Sequence, residues 1–506
     1  MLPSKAQPVG LVPSAATHLE GAVAQRRAFA VVLLIEVWER FGFYGIAGLM
    51  VLYMVQGLGY ADQQANLTWG ALSALVYAVP ALGGWIGDRW LGARRAMLAG
   101  TVVLACGYLL LATSGGAASA LYPALALVAI GVGLFKPNGA NLVRRIYEGQ
   151  PTRIDSAFTI YYMGVNVGST VSMLATPWVG KVWGWSAAFG VCGAGLLLGL
   201  ANYALLHRAL APVAVGADAA APTPRRVLVP LCLLGASGLL AVLALRHVAL
   251  AMACVLLVAA GVVTAFTVLM RRGDRQERKA LATAGVLILQ VGLFFVFYQQ
   301  MSTSLTLFAL RNVDPYLQLP GLPVLHLLPA QFQALNPIWI MLLSPLLAWS
   351  YTRLARGRGD LSIGLKFALG FVVVAASFAV FAAGGLASRD GRVPAGFMVG
   401  GYGLISLGEL LLSGLGLAVV ARFVPARFSG FMMGAYFAVS GISMYLGGFV
   451  ANLAQPPGHA VASVQDSLRA YTALFGRLSL LALFATGISL ALLPWLRRLA
   501  PPAAAR

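Results

Sequence analysis

Long apolar segments separated by short polar loops dominate the chain of 506 residues. Most of these segments hold about 20 residues or more, which as an α-helix is enough to cross roughly 30 Å of hydrocarbon. They lack the alternation of apolar and polar positions that is typical of membrane β-strands. The pattern therefore predicts an all-α polytopic membrane protein. We predict fourteen transmembrane segments, near 28–56, 66–87, 96–115, 119–143, 156–178, 185–208, 226–245, 248–270, 281–310, 330–353, 362–385, 394–421, 428–453 and 470–496.

The basic residues predict the orientation of these segments. A net charge of +20 would also suit a nucleic-acid-binding protein, but Lys and Arg cluster in short loops, as they do in cytoplasmic loops beside anionic lipid. The densest run is RRGDRQERK at 271–279, and alternate loops carry few basic residues. We therefore expect both termini inside the cell. Residues 1–26 lack the pattern of a cleaved signal peptide, so we expect an unprocessed chain inserted by its first helix.

The composition also changes in the middle of the chain. AVGADAAAPTPRR (214–226) has the small residues and prolines of a linker, and two apolar segments without internal charges follow it. These segments are predicted to be accessory helices between two bundles. The predicted division is a cytoplasmic segment (1–27), a six-helix bundle (28–210), a linker with two accessory helices (211–280), a second six-helix bundle (281–498) and a tail (499–506).

Glu36, Glu39 and Arg40 lie inside the first apolar segment. A charge at the centre of a membrane helix costs roughly 2.5–3.5 kcal/mol, so such residues are usually functional and face a polar cavity or one another. Their spacing places all three on one helical face, where Glu36 can reach Arg40 one turn later. The alternative is a buried ion pair that only fixes helix packing.

Other chemistry-bearing residues do not suggest an enzyme. The four cysteines lie singly in apolar segments, and the five histidines lie at or near the predicted segment ends. Neither set has the spacing of metal ligands. We therefore expect no metal, no cofactor and no enzymatic activity.

The loop after the second segment carries a recognisable motif. It reads GGWIGDRWLGARR, from Gly83 to Arg95, and its glycines allow helices to approach closely. This sequence resembles the loop signature of the major facilitator superfamily. The resemblance implies that fold, with a gating and packing role for Asp88 in place of ligand binding.

A more specific resemblance begins in the first segment. EVWERFGFYG (36–45) resembles the first-helix signature of the proton-coupled oligopeptide transporters, and the chain looks closest to the bacterial di- and tripeptide permeases. Further motifs occur in the expected order over about residues 30–495. They are GLFKPNGANLV (133–143), FTIYYMGVNVGS (158–169), ALNPIWIM (334–341) and LGELLLSGLGL (407–417).

The resemblance and the chemistry of a short peptide together imply a binding site. A peptide is a zwitterion, so its two charged ends need opposite partners while its side chains need a permissive space. Arg40 and Lys136 suit the carboxylate, and Glu409 suits the ammonium group. The remaining expected peptide contacts are Tyr44, Tyr77, Asn166, Gln299, Gln300 and Asn336. Tyr44 and Tyr77 could equally be packing residues, and Asn166 and Asn336 could be hydrogen-bonding links between helices.

Proton coupling is expected to use Glu36, Glu39, Arg40, Lys136 and Glu409. Glu36 and Glu39 share Arg40, so we expect one proton on this cluster to free Arg40 for the peptide. We also expect Lys136 and Glu409 to pair across the empty cavity. Many family members have an acidic residue near Gln299, and its absence here makes a proton step at that helix doubtful.

Alignment with the family further predicts an outer gate between Asp62 and Arg311, with the signs of the usual pair exchanged. The alternative is two unrelated solvated charges.

The favoured function is a proton-coupled symporter for di- and tripeptides. It is expected to act as a monomer in the bacterial cytoplasmic membrane and to bind no nucleic acid. A facilitator-type antiporter for drugs or organic ions and a non-transporting peptide sensor remain alternatives.

Overall fold

The computed structural model describes residues 22–219, 223–318, 321, 323–357, 361–424, 426–454 and 463–499. Nearly all of this is helical, apart from loops and a hairpin of two short strands, Tyr316–Leu317 and Leu325–His326. Most of the predicted N-terminal segment and C-terminal tail lie outside the described residues. The helices are α1 (Ala22–Leu52), α2 (Asp62–Ile86), α3 (Ala93–Thr113), α4 (Ala118–Ile146), α5 (Pro151–Leu206), α6 (Pro224–Arg246), α7 (Val248–Arg272), α8 (Arg275–Gln299), α9 (Ser304–Asn312), α10 (Leu335–Gly357), α11 (Ile363–Leu386), α12 (Gly396–Phe423), α13 (Ala426–Ala451) and α14 (Val464–Leu499).

The helices follow the predicted apolar segments with two differences. The fifth and sixth segments form one helical run, α5, which is broken only at Gly184, where φ is 84°. The ninth segment is divided into α8 and α9, because the backbone leaves the helical form at Thr303. There Gln300 donates a hydrogen bond to the Gly447 carbonyl, and Ser304 donates one to Gln300, so side chains bond polar groups at the break.

Twelve helical stretches in the described part of the chain are long and apolar enough to cross a membrane. One of them is the long run containing α5, and α1 is not among them because its charged residues interrupt the apolar sequence. The count of fourteen crossings and the orientation of the termini therefore stay predictions.

Helices α1 to α5 pack against one another, as do helices α8 to α14. We call these sets the N-terminal half and the C-terminal half. Each is built around fully buried aromatic side chains, such as Tyr108 and Phe135 in the first and Phe371 and Phe378 in the second. Because lipid offers no partners for backbone polar groups, a segment that crosses the membrane must satisfy these groups within the protein, as an α-helix does.

Glycines of the Gly83–Arg95 motif bring α2 against α4. A Cβ placed on Gly83 would lie 2.0 Å from the Gly133 carbonyl oxygen, and one on Gly87 would lie 1.9 Å from Asn138 Oδ1. A larger residue at Gly83 would have to move the backbone of α4, and one at Gly87 would have to displace the Asn138 side chain. The expectation that these glycines permit close helix approach is confirmed.

The two accessory helices bridge the halves along one side. Helix α6 packs on α4 and α2, whereas α7 packs on α13 and α8. The linker before them is fixed to the N-terminal half by Asp218, which is 2% exposed. Its carboxylate accepts a hydrogen bond from the Arg94 backbone N–H at 3.1 Å and forms an ion pair with Arg145 at 3.0 Å.

The two halves are joined at one end of the molecule. Arg311 contacts Asp62 there, and Asn66 Nδ2 donates to Asn452 Oδ1 at 2.9 Å. We call this the outer end, following the predicted orientation, and the opposite end, where Asp88 lies, the inner end. Among the described residues, the side-chain hydrogen bonds and ion pairs between the halves lie at the outer end or in the middle of the helices. The conformation is therefore closed at its outer end.

Candidate functional site

A cavity lies between the two halves near the middle of the helices. Its space, including the part open to solvent, is about 820 Å³. Both halves contribute side chains, and these are a mixture of charged, polar and aromatic groups. The lining residues are Arg40, Phe43, Tyr44, Ala47, Trp69, Leu72, Ser73, Val76, Tyr77, Lys136, Met173, Tyr298, Gln299, Met301, Ser302, Gln333, Asn336 and Met444.

Helix α1 carries an ion cluster beside this cavity. Arg40 Nε lies 3.2 Å from Glu36 Oε1, as the spacing predicts, and it also contacts Glu39. All three residues are buried. Arg40 lines the cavity, and its Nη2, itself buried, has no hydrogen-bond partner among the described residues, so it keeps an unused donor.

The two glutamates of the cluster differ in their partners. Glu36 accepts a hydrogen bond from the Tyr161 hydroxyl of α5 in addition to contacting Arg40. Apart from the contact with Arg40, the carboxylate oxygens of Glu39 have no hydrogen-bond partner in the described part of the chain. A buried charge is less costly when more hydrogen bonds stabilise it, so neutral Glu39 suits this environment better than neutral Glu36 does.

Lys136 brings a second positive charge to the same side of the cavity. Unlike Arg40, its side chain is exposed, and Nζ lies 5.6 Å from the centre of the Tyr77 ring. It is also within electrostatic range of Glu39. A ligand can therefore reach this ammonium group without displacing a buried ion pair.

The C-terminal half places its carboxylate across from these cations. Asn336 Nδ2 on α10 donates to Glu409 Oε2 on α12 at 2.9 Å and lies 3.0 Å from Ser406 Oγ. Asn336 lines the cavity directly, and Glu409 lies just behind it. Both residues are partly exposed.

The predicted pairing of Lys136 with Glu409 is not present in this conformation. In the part of the chain that the structure describes, the two side chains form no ion pair; Lys136 lies over Tyr77 and Glu409 is bonded to Asn336. The two charged groups belong to separate halves and are left apart.

The predicted peptide contacts separate into two groups. Tyr44, Tyr77, Gln299 and Asn336 line the cavity. Gln300 is fully buried, and its amide donates to the carbonyls of Val296 and Gly447, so it lies behind the cavity wall.

Asn166 belongs with Gln300 in this respect. It is 7% exposed and donates to the Tyr162 carbonyl one turn earlier on α5. In this conformation its amide is bonded to the helix backbone and does not line the cavity.

The residues predicted for gating lie at opposite ends. Arg311 Nη2 donates to Asp62 Oδ1 at 2.7 Å, and Nη1 contacts Oδ2, so the pair is bidentate and joins α9 to α2. Asp88 is exposed at the inner end, where it accepts a hydrogen bond from Asn141 Nδ2 at 3.3 Å. The gating roles themselves stay predictions.

Several cavity and cluster residues escape sequence reasoning. Tyr161 lies within the quoted motif FTIYYMGVNVGS, yet nothing in the sequence shows which of its two tyrosines faces Glu36. Gln333 precedes its helix and bonds across to the Gly48 carbonyl at 3.2 Å. Trp69 and Tyr298 resemble ordinary apolar core residues in the sequence, although both line the cavity.

Comparison with known proteins agrees with this arrangement. The sequence profile of the POT family matches residues 94–466. Dipeptide and tripeptide permease A of Escherichia coli (strain K12) is 40% identical over 458 residues, covering 90% of this chain and 89% of that protein. The protein of the same name from Chromobacterium violaceum is 39% identical over 478 residues, 94% of each chain.

Several solved structures of peptide transporters are also similar to this chain. A structure described as a bacterial homologue of the human drug peptide transporters PepT1 and PepT2 gives a TM-score of 0.84 at 46% identity, covering 94% of this chain and all 100% of the other. A tetrameric PepTSo2 gives 0.85 at 46% identity with the same coverage. A peptide transporter POT in complex with sulfate gives 0.80 at 29% identity, covering 94% and 95%. These matches confirm the predicted all-α, major facilitator-type fold.

Proposed function

The chain belongs to the POT family, and we propose that it is a proton-coupled symporter that imports di- and tripeptides across the bacterial inner membrane. The observation that carries this proposal is the distribution of charge around the cavity. Arg40 and Lys136 lie on one side, in the N-terminal half, and Glu409 lies on the other, in the C-terminal half. This arrangement matches a short zwitterion and leaves the space between open to various side chains.

Peptide binding follows from the free groups in the cavity. The peptide carboxylate accepts hydrogen bonds from Arg40 Nη2, which is otherwise unpartnered among the described residues, and from the exposed Lys136. The peptide ammonium group binds Glu409, with the Asn336 amide oxygen beside it. Of the remaining expected contacts, Tyr44, Tyr77 and Gln299 line the cavity; Asn166 and Gln300 would act after a rearrangement of their helices.

The proton is held by the cluster on α1. Because Glu39 lacks the hydrogen bond that Glu36 receives from Tyr161, we place the proton on Glu39. Protonation removes one of the two negative charges that hold Arg40, so the guanidinium group becomes available to the peptide. Lys136 and Glu409 complete the coupling set, because both change partners when peptide enters.

Transport follows from a ligand that touches both halves. Two six-helix bundles, 28–210 and 281–498, rock about the site, and the segment 211–280 carries the accessory helices. The Asp62–Arg311 pair holds the outer end shut while the cavity is open inward.

We propose that a single chain is the transport unit and needs no cofactor beyond the coupling proton. Light scattering in detergent measures the oligomeric state, and peptide uptake by mixtures of active and inactive chains tests whether one chain transports alone. Uptake that falls more steeply than the fraction of active chains would contradict a single-chain transport unit.

The deciding experiment measures peptide-dependent proton influx in proteoliposomes. A dipeptide and a tripeptide should each acidify the lumen, whereas a free amino acid and a tetrapeptide should not. Empty liposomes and protein carrying Glu39→Gln provide the controls. Proton efflux on substrate addition would indicate an antiporter, and peptide binding without flux would indicate a sensor.

A further inference from the structure

A second space lies outside the peptide cavity, between the accessory helices and the seam where α2 meets α13. It is apolar, is bounded by α2, α7 and α13, and occupies about 920 Å³ including its open part. A smaller space of about 290 Å³ adjoins it toward the outer end and shares Ala71, Ala244, Ala251 and Tyr445 with it. We call the two together the lateral slot.

The slot exists because small residues line it. On α13, Gly434 and Ala438 face it, and a Cβ placed on Gly434 would meet no described residue within 4 Å. Ala74 and Ala78 face it from α2. Larger side chains at these positions would close the gap, so the chain keeps an apolar opening beside the hydrocarbon of the bilayer.

The outer mouth of the slot is polar and positively charged. Arg246 ends α6 there, with its guanidinium carbon 5.7 Å from the centre of the Tyr122 ring. Gln64 Nε2 donates to the Tyr122 hydroxyl at 3.3 Å beside it. Among the described residues that line the two spaces, Arg246 is the single charged one.

We propose that the lateral slot binds an anionic phospholipid, with an acyl chain in the apolar part and the phosphate on Arg246. The inner part of the slot is apolar and its mouth carries one cation, as the acyl chain and the phosphate of a phospholipid require. An arginine fork suits phosphate geometry, and a neighbouring hydroxyl can donate to the same oxygens.

Occupancy of the slot should depend on the state of the transporter. Tyr77 lines both the slot and the peptide cavity, and a Cβ on Gly441 would lie 3.1 Å from the Ala74 carbonyl oxygen across the seam. Opening of the outer end separates α2 from α13 and so changes the walls of the slot. A lipid held there therefore stabilises the closed seam, whether or not the chain carries peptides.

Native mass spectrometry of the purified full chain tests this site. The protein is titrated with phosphatidylglycerol and, separately, with phosphatidylethanolamine of the same acyl chains. Gly434→Leu fills the slot and should abolish the tightest phosphatidylglycerol adduct. Gly430→Leu is the matched control, since Gly430 lies one turn earlier on α13 and does not line the slot, and a Cβ placed on it would meet none of the described residues within 4 Å.

The mouth is tested by Arg246→Gln, which should weaken phosphatidylglycerol binding about fivefold, the effect expected for one basic residue near a lipid surface. Arg469→Gln, an exposed arginine at the start of α14, is its control. Thermal unfolding verifies that each variant is folded, and Ala251→Leu replaces Gly434→Leu if the latter is not. Equal binding of the two lipids, or unchanged binding in both slot-filling variants, would overturn the proposal.

Discussion

Arg40 and Arg311 each contact carboxylates, but they do so in different relations to the two halves. Arg40 and its partners Glu36 and Glu39 all lie on one helix, so movement of the halves leaves their spacing unchanged. Arg311 and Asp62 lie on opposite halves, so their contact exists only while the outer end is closed. Ligand and proton can therefore act on the cluster around Arg40, whereas the contact between Arg311 and Asp62 responds to the conformation of the two halves.

Burial strengthens this contrast. The side chain of Arg40 is 5% exposed, whereas that of Arg311 is 35% exposed. Charge interactions are screened less in the interior than near water, so a change of charge should have its largest effect at Arg40.

The largest effect is expected from neutralising the acids on α1. Glu39→Gln removes the proposed proton site, so uphill accumulation of dipeptide driven by a proton gradient should be lost. Exchange of labelled for unlabelled peptide should persist, because Arg40 and Lys136 remain. We expect the same loss for Glu36→Gln, because it permanently removes one of the two negative charges that hold Arg40. Uptake and exchange in the same proteoliposomes measure both variants.

A finer test separates the two acids through Tyr161. Tyr161→Phe removes only the hydrogen bond to Glu36, and Tyr162→Phe, at its exposed neighbour, is the control. If Glu39 holds the proton, Tyr161→Phe should retain coupled uptake at a reduced rate. Full uphill accumulation in both glutamine variants would contradict the role of the cluster.

The next largest effect compares the same substitution at the two arginines. Arg40→Lys keeps the charge but removes the planar fork, so dipeptide affinity should fall at least tenfold, as expected for loss of a hydrogen bond to a charged group. Arg311→Lys should change affinity much less, because this residue does not line the cavity. Competition binding with a labelled dipeptide measures both, and equal losses would remove the distinction between the clusters.

These two regions also show how far the sequence can be interpreted. The spacing of Glu36 and Arg40 on a single helix predicts their contact, because local geometry fixes it. The fold class follows from segment length and the facilitator motif, and the structural matches confirm it. The contact between Asp62 and Arg311 was accessible only through resemblance, since 249 positions separate the two residues and nothing local brings them together.

The direction of side chains on packed helices could not be predicted from the sequence. Gln299 and Gln300 are adjacent and equally polar, yet one lines the cavity and the other bonds to backbone carbonyls. Gln300 donates to the carbonyl of Gly447 on α13, a contact between residues 147 positions apart that nothing local in the sequence predicts. The contribution of Tyr161 is hidden for the same reason.

A smaller effect is expected at the outer end. Asp62→Arg and Arg311→Asp should each open this end, shifting its population about fivefold, the upper end expected for a partly exposed ion pair. The double variant should restore closure, because it reverses both charges. Distances between spin labels across the outer end provide the measurement. If the double variant is no more closed than either single variant, the two residues do not form a gate.

The smallest effect is expected from the uncharged contact beside that pair. Asn66 Nδ2 donates to Asn452 Oδ1 at 2.9 Å, so Asn66→Ala should shift the same equilibrium about threefold, typical of one hydrogen bond between membrane helices. Asn141→Ala, which removes a contact within the N-terminal half at the inner end, should leave the spin-label distances unchanged. A shift as large as that of Arg311→Asp would mean that hydrogen bonding, and not charge, holds the outer end shut. Arg40 and Arg311 would then differ only in how exposed their side chains are, because the contact between the halves would no longer depend on Arg311.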